Sequence, residues 1–168
     1  GVFIEVDNGS VQVSGASGET HVMTANGNVK VLDQAGTVTA IVTNGTITVT
    51  NPTDALELHT QNGSITIENA ISDVRARTAN GSVTVGLQAD MSPSLQVFTD
   101  NGSIKCTVGP AFTGEVDLVA DSGSVRLSDQ PGIVTAEIID DEGNRHLVIG
   151  AGFNKSTLWT GNGSVEFT

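Results

Sequence analysis

Apolar and polar residues alternate in short bursts along this chain, and a glycine interrupts each burst. Between positions 56 and 67 the apolar or β-branched side chains are Leu56, Leu58, Thr60, Ile65 and Ile67, with Asn62 and Gly63 at the break. These positions fall seven, five and three residues before the glycine and two and four after it, which is period-two alternation on both sides of a corner. The same slots hold Val74, Ala76, Thr78, Val83 and Val85 in the next copy, and Val116, Leu118, Ala120, Val125 and Leu127 further on. Each copy thus predicts two short strands with one inward face apiece. A single pair has nothing to bury that face against, so the copies must stack and share a core.

The corner glycine recurs at Gly9, Gly27, Gly45, Gly63 and Gly81 with a spacing of 18, then at Gly102 and Gly123 with a spacing of 21. The next copy is degenerate around Asp141, Glu142, Gly143 and Asn144, and the pattern returns at Gly163, giving about nine copies. Asn precedes the glycine at Asn8, Asn26, Asn44, Asn62, Asn80, Asn101 and Asn162, as a sharp corner with positive φ favours. Ser or Thr follows it at Ser10, Thr46, Ser64, Ser82, Ser103, Ser124 and Ser164.

Two geometries satisfy this pattern. In a solenoid each copy is one coil, and every strand pairs in parallel with its equivalent about 4.8 Å away. In a meander each Asn-Gly closes an antiparallel hairpin, for which that dipeptide is the strongest short signal. The constant 18-residue period favours the solenoid, because a coil needs a fixed perimeter whereas hairpin connections vary in length. The reading is therefore an all-β, single-stranded parallel β-solenoid, or β-helix, of about nine short coils with Asn-Gly corners, forming one domain over residues 1–168 and roughly 40 Å long. Stacking predicts self-bonding ladders of the corner asparagines and of Thr24, Thr60, Thr78, Thr99 and Thr160. Residues 136–150 depart from the pattern and predict a local hairpin or a bulged coil. Neither end reads as a dedicated polar cap.

Composition narrows the function. The net charge of -12, from 19 acids against 7 Lys and Arg, repels a phosphate backbone and an anionic membrane surface, so nucleic acid is not expected as a partner. The lone Cys106 occupies an inward slot and reads as packing. No stretch has the length of a membrane-spanning helix, so contact with a membrane is expected only through a tether outside this chain.

Candidate chemistry is sparse. Acids beside turns at Asp7, Asp100, Asp121 and Asp140 to Glu142 match no calcium loop and read as solvated turns, so neither metal nor cofactor is expected. His21, His59 and His146 fall at unrelated offsets and no nucleophile has a recognisable partner, so no catalytic residue is expected. Asp117 and Asp121 read as outward, wet positions. Outward Thr46, Thr48 and Thr50 suggest a flat threonine array, which Lys30, Glu68 and Lys105 interrupt.

One outward series stands out. Four residues before each corner the sequence reads Glu5, Met23, Ile41, His59, Arg77, Phe98, Val119, Ile139 and Trp159. Stacked in chain order, Phe98, Val119, Ile139 and Trp159 form a continuous apolar stripe, the candidate interaction site. A protein or a cell-surface glycan is the expected partner, with self-association through the same stripe as a further outcome.

The motif Thr-x-Asn-Gly-Ser-Val/Ile-x-Val, as in Thr78, Asn80, Gly81, Ser82, Val83 and Val85, resembles the bacterial adhesin-type domains with YvlB-like, toastrack repeats, similar in style to the head domains called GIN. The resemblance covers nearly the whole chain. It implies a β-solenoid ectodomain belonging to a longer, tethered chain, extracytoplasmic in the cell envelope or at the surface, and adhesin-like with no catalytic residues to carry over. Some relatives of that type look like sensory or accessory modules of envelope-stress systems, which is the alternative expectation.

Overall fold

The computed structural model describes residues 1–127 and 134–168, and all the regular structure in them is strand. Six long strands stack in parallel as one row: β1 (Val2–Asn8), β3 (Thr20–Asn26), β5 (Val38–Asn44), β7 (Leu56–Asn62), β9 (Val74–Asn80) and β11 (Leu95–Asn101). Six shorter ones stack as a second row: β2 (Val11–Ser14), β4 (Val29–Leu32), β6 (Ile47–Thr50), β8 (Ile65–Ala70), β10 (Val83–Leu87) and β12 (Ile104–Thr107). Each long strand and the short one after it make one coil, bent at the Asn-Gly corner. Every slot pairs with itself, as in Leu56 with Val74, Thr60 with Thr78 and Asn62 with Asn80. Those parallel registers are those of a solenoid, not of a meander.

The core lies between the two rows and is built from the predicted slots. Val22, Val31, Val49, Leu58, Ile65, Ile67, Ala76, Val85 and Val97 are all buried, and Cys106 packs among them. At the corners Gly63 has φ +155°, and a Cβ placed on it would overlap the carbonyl oxygen of Gly45 in the coil before. Glycine is required there by close stacking as well as by backbone conformation.

The ladders divide into two kinds. The corner asparagines bond to one another as expected: Asn62 Nδ2 donates to Asn44 Oδ1 at 2.9 Å and Asn80 Nδ2 to Asn62 Oδ1 at 2.9 Å. The threonines do not. Thr60, Thr78 and Thr99 are buried, and their hydroxyls donate to the corner carbonyls of Gly45, Gly63 and Gly81 in the coil before, at 3.2, 2.9 and 2.8 Å. In these coils the inward hydroxyl meets the unpaired carbonyl first and caps the corner instead of bonding its own kind, whereas buried Thr24, in the same slot of the second coil, makes neither bond. A second ladder, not anticipated, runs through Asp33, Asn51 and Asn69, all at positive φ and 18 residues apart.

The last third follows the repeat without following the chain order. It comprises β13 (Gly114–Leu127), β14 (Val134–Ile139), β15 (Arg145–Ile149) and β16 (Lys155–Phe167). The final strand β16 pairs in parallel with β11 and β12 on one side and with β13 on the other. It is inserted between the sixth coil and the copy that follows that coil in sequence. The expected nine coils in chain order are thus corrected to six, followed by layers made of β16 and then β13. The degenerate copy is the local hairpin β14–β15, whose strand β15 runs antiparallel along the first half of β13. Its turn is closed by Asp140, whose Oδ1 accepts from the backbone N–H of Glu142 and Asn144 at 2.9 and 2.8 Å.

The side chains explain the inserted order. At the corner Asn101-Gly102, β16 offers Asn162, whose Nδ2 reaches Asn101 Oδ1 at 2.9 Å, and Thr160, whose Oγ1 reaches the Gly102 carbonyl at 2.7 Å. The strand β13 carries Ser122 and Ala120 in those two slots and can supply neither bond.

Candidate functional site

The outward side of the long-strand row carries the predicted stripe, in a different order. Phe98 on β11 lies beside Trp159 on β16, and Trp159 lies beside Val119 on β13. The contiguous strip is therefore Phe98, Trp159, Val119, all three half-buried. Ile139 is not part of it: it stands on β14 opposite Arg145, on the hairpin, and is 54% exposed. The copy that contained Ile139 turned back as a hairpin and never formed a coil. On the other side the series continues through Arg77, His59 and Ile41.

Trp159 is held in place. Its Nε1 donates to Asp121 Oδ1 at 3.0 Å, across from β16 to β13. Its ring extends along its own strand toward Gly161, where an added Cβ would come within 3.4 Å of Cη2. The nearer obstacle to a side chain at 161 is the Asp100 carbonyl oxygen, 2.7 Å from an added Cβ, while the indole lies alongside at ordinary contact distance. Polar residues flank the strip on both sides: Gln96 and Thr157 pair on one, while Asp100 and Asp121 stand near the corner on the other. Beside it a shallow groove of about 330 Å³ is lined by Ile41, His59, Gln61, Arg77 and Asp100. Arg77 forms no ion pair among the described residues, whereas Lys105, Arg145 and Lys155 pair with Glu166, Glu137 and Glu115.

The remaining candidates do not converge. His21 stacks on Phe3 at 5.3 Å between ring centres, and His59 is exposed beside Arg77. His146 Nδ1 meets Asp117 Oδ1 at 2.6 Å, so Asp117 and Asp121, read from sequence as wet surface acids, each have a specific partner. Neither partner was visible in the sequence, because the pairs cross between copies whose spatial order differs from their chain order. Among the described residues no group of three or more His, Cys, Asp and Glu is placed to hold a metal ion. The side-chain amide of Asn144 holds the exposed Asp140 carboxyl below its ordinary range, helped by backbone N–H groups of the turn and opposed by slight desolvation. Burial pushes the Cys106 thiol up to about 12, which leaves it a protonated, inert core group. The outward threonines on the short-strand row stack only as Thr48, Thr66 and Thr84 before Lys30 and Lys105 end the series.

Fold and site together define a single-stranded parallel β-solenoid whose long-strand face carries the apolar strip Phe98, Trp159 and Val119. No family model, no curated protein and no solved structure matches the chain.

Proposed function

We propose that the chain is a rigid, non-enzymatic surface-binding module of adhesin-like type, working outside the cytoplasm at a bacterial envelope. The strip Phe98, Trp159, Val119 is its contact face. The observation that carries this reading is the pinned indole: a half-buried aromatic side chain fixed by Asp121 is prepared before any partner arrives. Resemblance to the adhesin-type repeats supports the envelope setting, and the histidines of the described residues lie apart from one another.

Sedimentation with purified bacterial envelope fragments tests the reading. The parent chain is expected to co-sediment, and a Phe98→Ser, Trp159→Ser variant with unchanged circular dichroism is expected to stay in solution. Equal sedimentation of both, or of neither, overturns the strip as the contact face. Light scattering over a concentration series of the parent separates a surface ligand from a second copy of this chain.

A further inference from the structure

We infer that the strip binds a neutral, β-1,4-linked oligosaccharide, its sugar rings stacked on Trp159 and Phe98. This rests on the contact face proposed above and names what that face takes.

The strip is only one outward position wide. Along a strand, outward positions alternate with core positions, and the outward neighbours on either side are polar: Gln96 and Thr157 on one flank, Asp100 and Asp121 on the other. An apolar band one side chain wide, bordered by hydrogen-bonding rows, suits a ligand that is itself amphipathic across the width of a ring. A pyranose has that character. Its axial C–H bonds form an apolar face that packs on the negative face of an aromatic ring, and its equatorial hydroxyls point sideways in the ring plane. A protein partner wants a broader desolvated core with a polar rim around it.

Spacing agrees with width. Phe98 and Trp159 occupy the same slot on neighbouring strands, about 4.8 Å apart along the solenoid axis. That distance is close to the rise of one hexose in an extended β-1,4-linked chain, so successive rings of such a chain meet successive rungs. Beyond Phe98 the line passes Arg77 and the groove lined by His59, Gln61 and Asp100, which offers donors and acceptors to further hydroxyls.

Charge selects a neutral sugar. The chain carries -12 overall; Asp100 and Asp121 stand beside the aromatic rungs, Asp117 is taken up by His146, and Arg75 and Arg77 lie across from Gln96 and Phe98 on the neighbouring strand. A polyuronate or a sulfated glycan would bring its charges against the Asp100 and Asp121 carboxylates and the net negative charge of the chain. Hydroxyl groups meet the same carboxylates as donors.

Trp159 is the only tryptophan in the chain, so its emission reports directly on the site. The 168-residue chain is titrated with β-1,4-linked hexasaccharides of glucose and of N-acetylglucosamine, and with a polyuronate hexasaccharide. A saturable change in emission with a neutral hexasaccharide and none with the polyuronate is expected. Because Trp159→Ala removes the fluorophore, its binding is followed by retention on the immobilised sugar, with an expected loss of about tenfold in affinity or more. Asp121→Ala is expected to weaken binding and Asp121→Asn to restore it, since the amide oxygen still accepts from the indole N–H. Circular dichroism and thermal melting confirm that each variant is folded. No saturable change with either neutral sugar, or an equal response to the polyuronate, overturns the inference. Should the sugars fail while the parent still sediments with envelope fragments through Phe98 and Trp159, the contact face stands and its saccharide assignment falls. Should both fail, both fall.

Discussion

The first six coils and the layer formed by β16 obey the same corner rules over very different chain distances. In coils two to four the hydrogen-bonded asparagines are 18 residues apart, as in Asn62 to Asn44. Where β16 enters, the equivalent bond joins Asn162 to Asn101 across 61 residues. The chemistry of a rung is unchanged, and only the loop that must close before it forms is longer. A repeat can therefore add coils in order cheaply, but it can also be completed out of order when a later copy fits the waiting corner better. The first region teaches what a coil needs, and the second shows that those needs decide position more strongly than sequence neighbourhood does.

The most severe way to break this comparison is to remove β16. In a chain ending at Asn154, β13 loses its parallel partner and retains only the antiparallel β15 among the described strands. Hydrogen exchange is expected to show protection kept over β1 to β10 and lost over residues 119–127, which β15 does not reach. Cys106 gives a second readout, because it lies beside Phe167 of β16. In the intact chain its buried, protonated thiol is expected to resist alkylation, and in the shortened chain to react. Retained protection of both regions would mean that β13 docks directly on the sixth coil, and that its Ala120 and Ser122 are no obstacle. The order itself is checked by paired cysteines in a Cys106→Ala background. Lys105 lies across from Glu166, with Arg126 one strand further, so Lys105→Cys with Glu166→Cys is expected to form a disulfide and Lys105→Cys with Arg126→Cys is not.

Corner glycines come next in size. A methyl group on Gly63 would overlap the Gly45 carbonyl, so Gly63→Ala must displace backbone and is expected to cost about 4 kcal/mol or more. The same change at Gly9 meets only Val6 Cγ1 at 3.6 Å. It carries the conformational strain alone, about 1–3 kcal/mol. Urea unfolding of the two variants separates stacking from strain, and equal losses would show that backbone conformation accounts for both.

Much of this was legible in the sequence, for a specific reason. A slot that must match itself in every coil leaves a periodic trace, and Leu56, Leu58, Ile65 and Ile67 revealed both faces and the core. The trace of the second ladder was present too, in Asp33, Asn51 and Asn69 at the same 18-residue spacing, but without glycine to mark it. Layer order left a fainter sign. Residues Thr160, Asn162, Gly163 and Ser164 form a complete corner, whereas Ala120, Ser122 and Gly123 do not, and only the complete one satisfies Asn101 and Gly102. Ile139 falls outside the stripe because spatial order departs from chain order, and the Asp121 to Trp159 bond is invisible in the sequence for the same cause. Periodicity specifies which residues share a slot, while the sequence of rungs along the axis is decided by individual hydrogen bonds.

Those bonds can be tested one at a time. Thr78→Val keeps shape and burial and removes the donor to the Gly63 carbonyl, for an expected loss of about 1 kcal/mol. Val42 occupies the same slot in the third coil, where the Gly27 carbonyl receives no such cap. Val42→Thr is therefore expected to gain a few tenths of a kcal/mol, or at worst to be neutral, although the same exchange in an uncapped core position would destabilise. Opposite signs for one isosteric exchange in two coils would identify the carbonyl, not burial, as the determinant. Losses in both coils would overturn the capping role.

The asparagine ladder should give the smallest effect. Its amides are exposed, so water competes for every rung and a bond lost there costs less than one lost in the core. Asn62→Ala removes two rungs, the bond it donates to Asn44 and the one it accepts from Asn80, with an expected cost of about 1 kcal/mol. Asn8→Ala removes only the rung accepted from Asn26, so about half of that loss is expected. The two thermal melts should therefore differ by roughly 1–2 °C. If Asn62→Ala costs no more than Asn8→Ala, the side-chain rungs are dispensable in the coils. The insertion of β16 beside the sixth coil would then rest on the Thr160 cap and the packing of Leu158 and Val165, and not on Asn162.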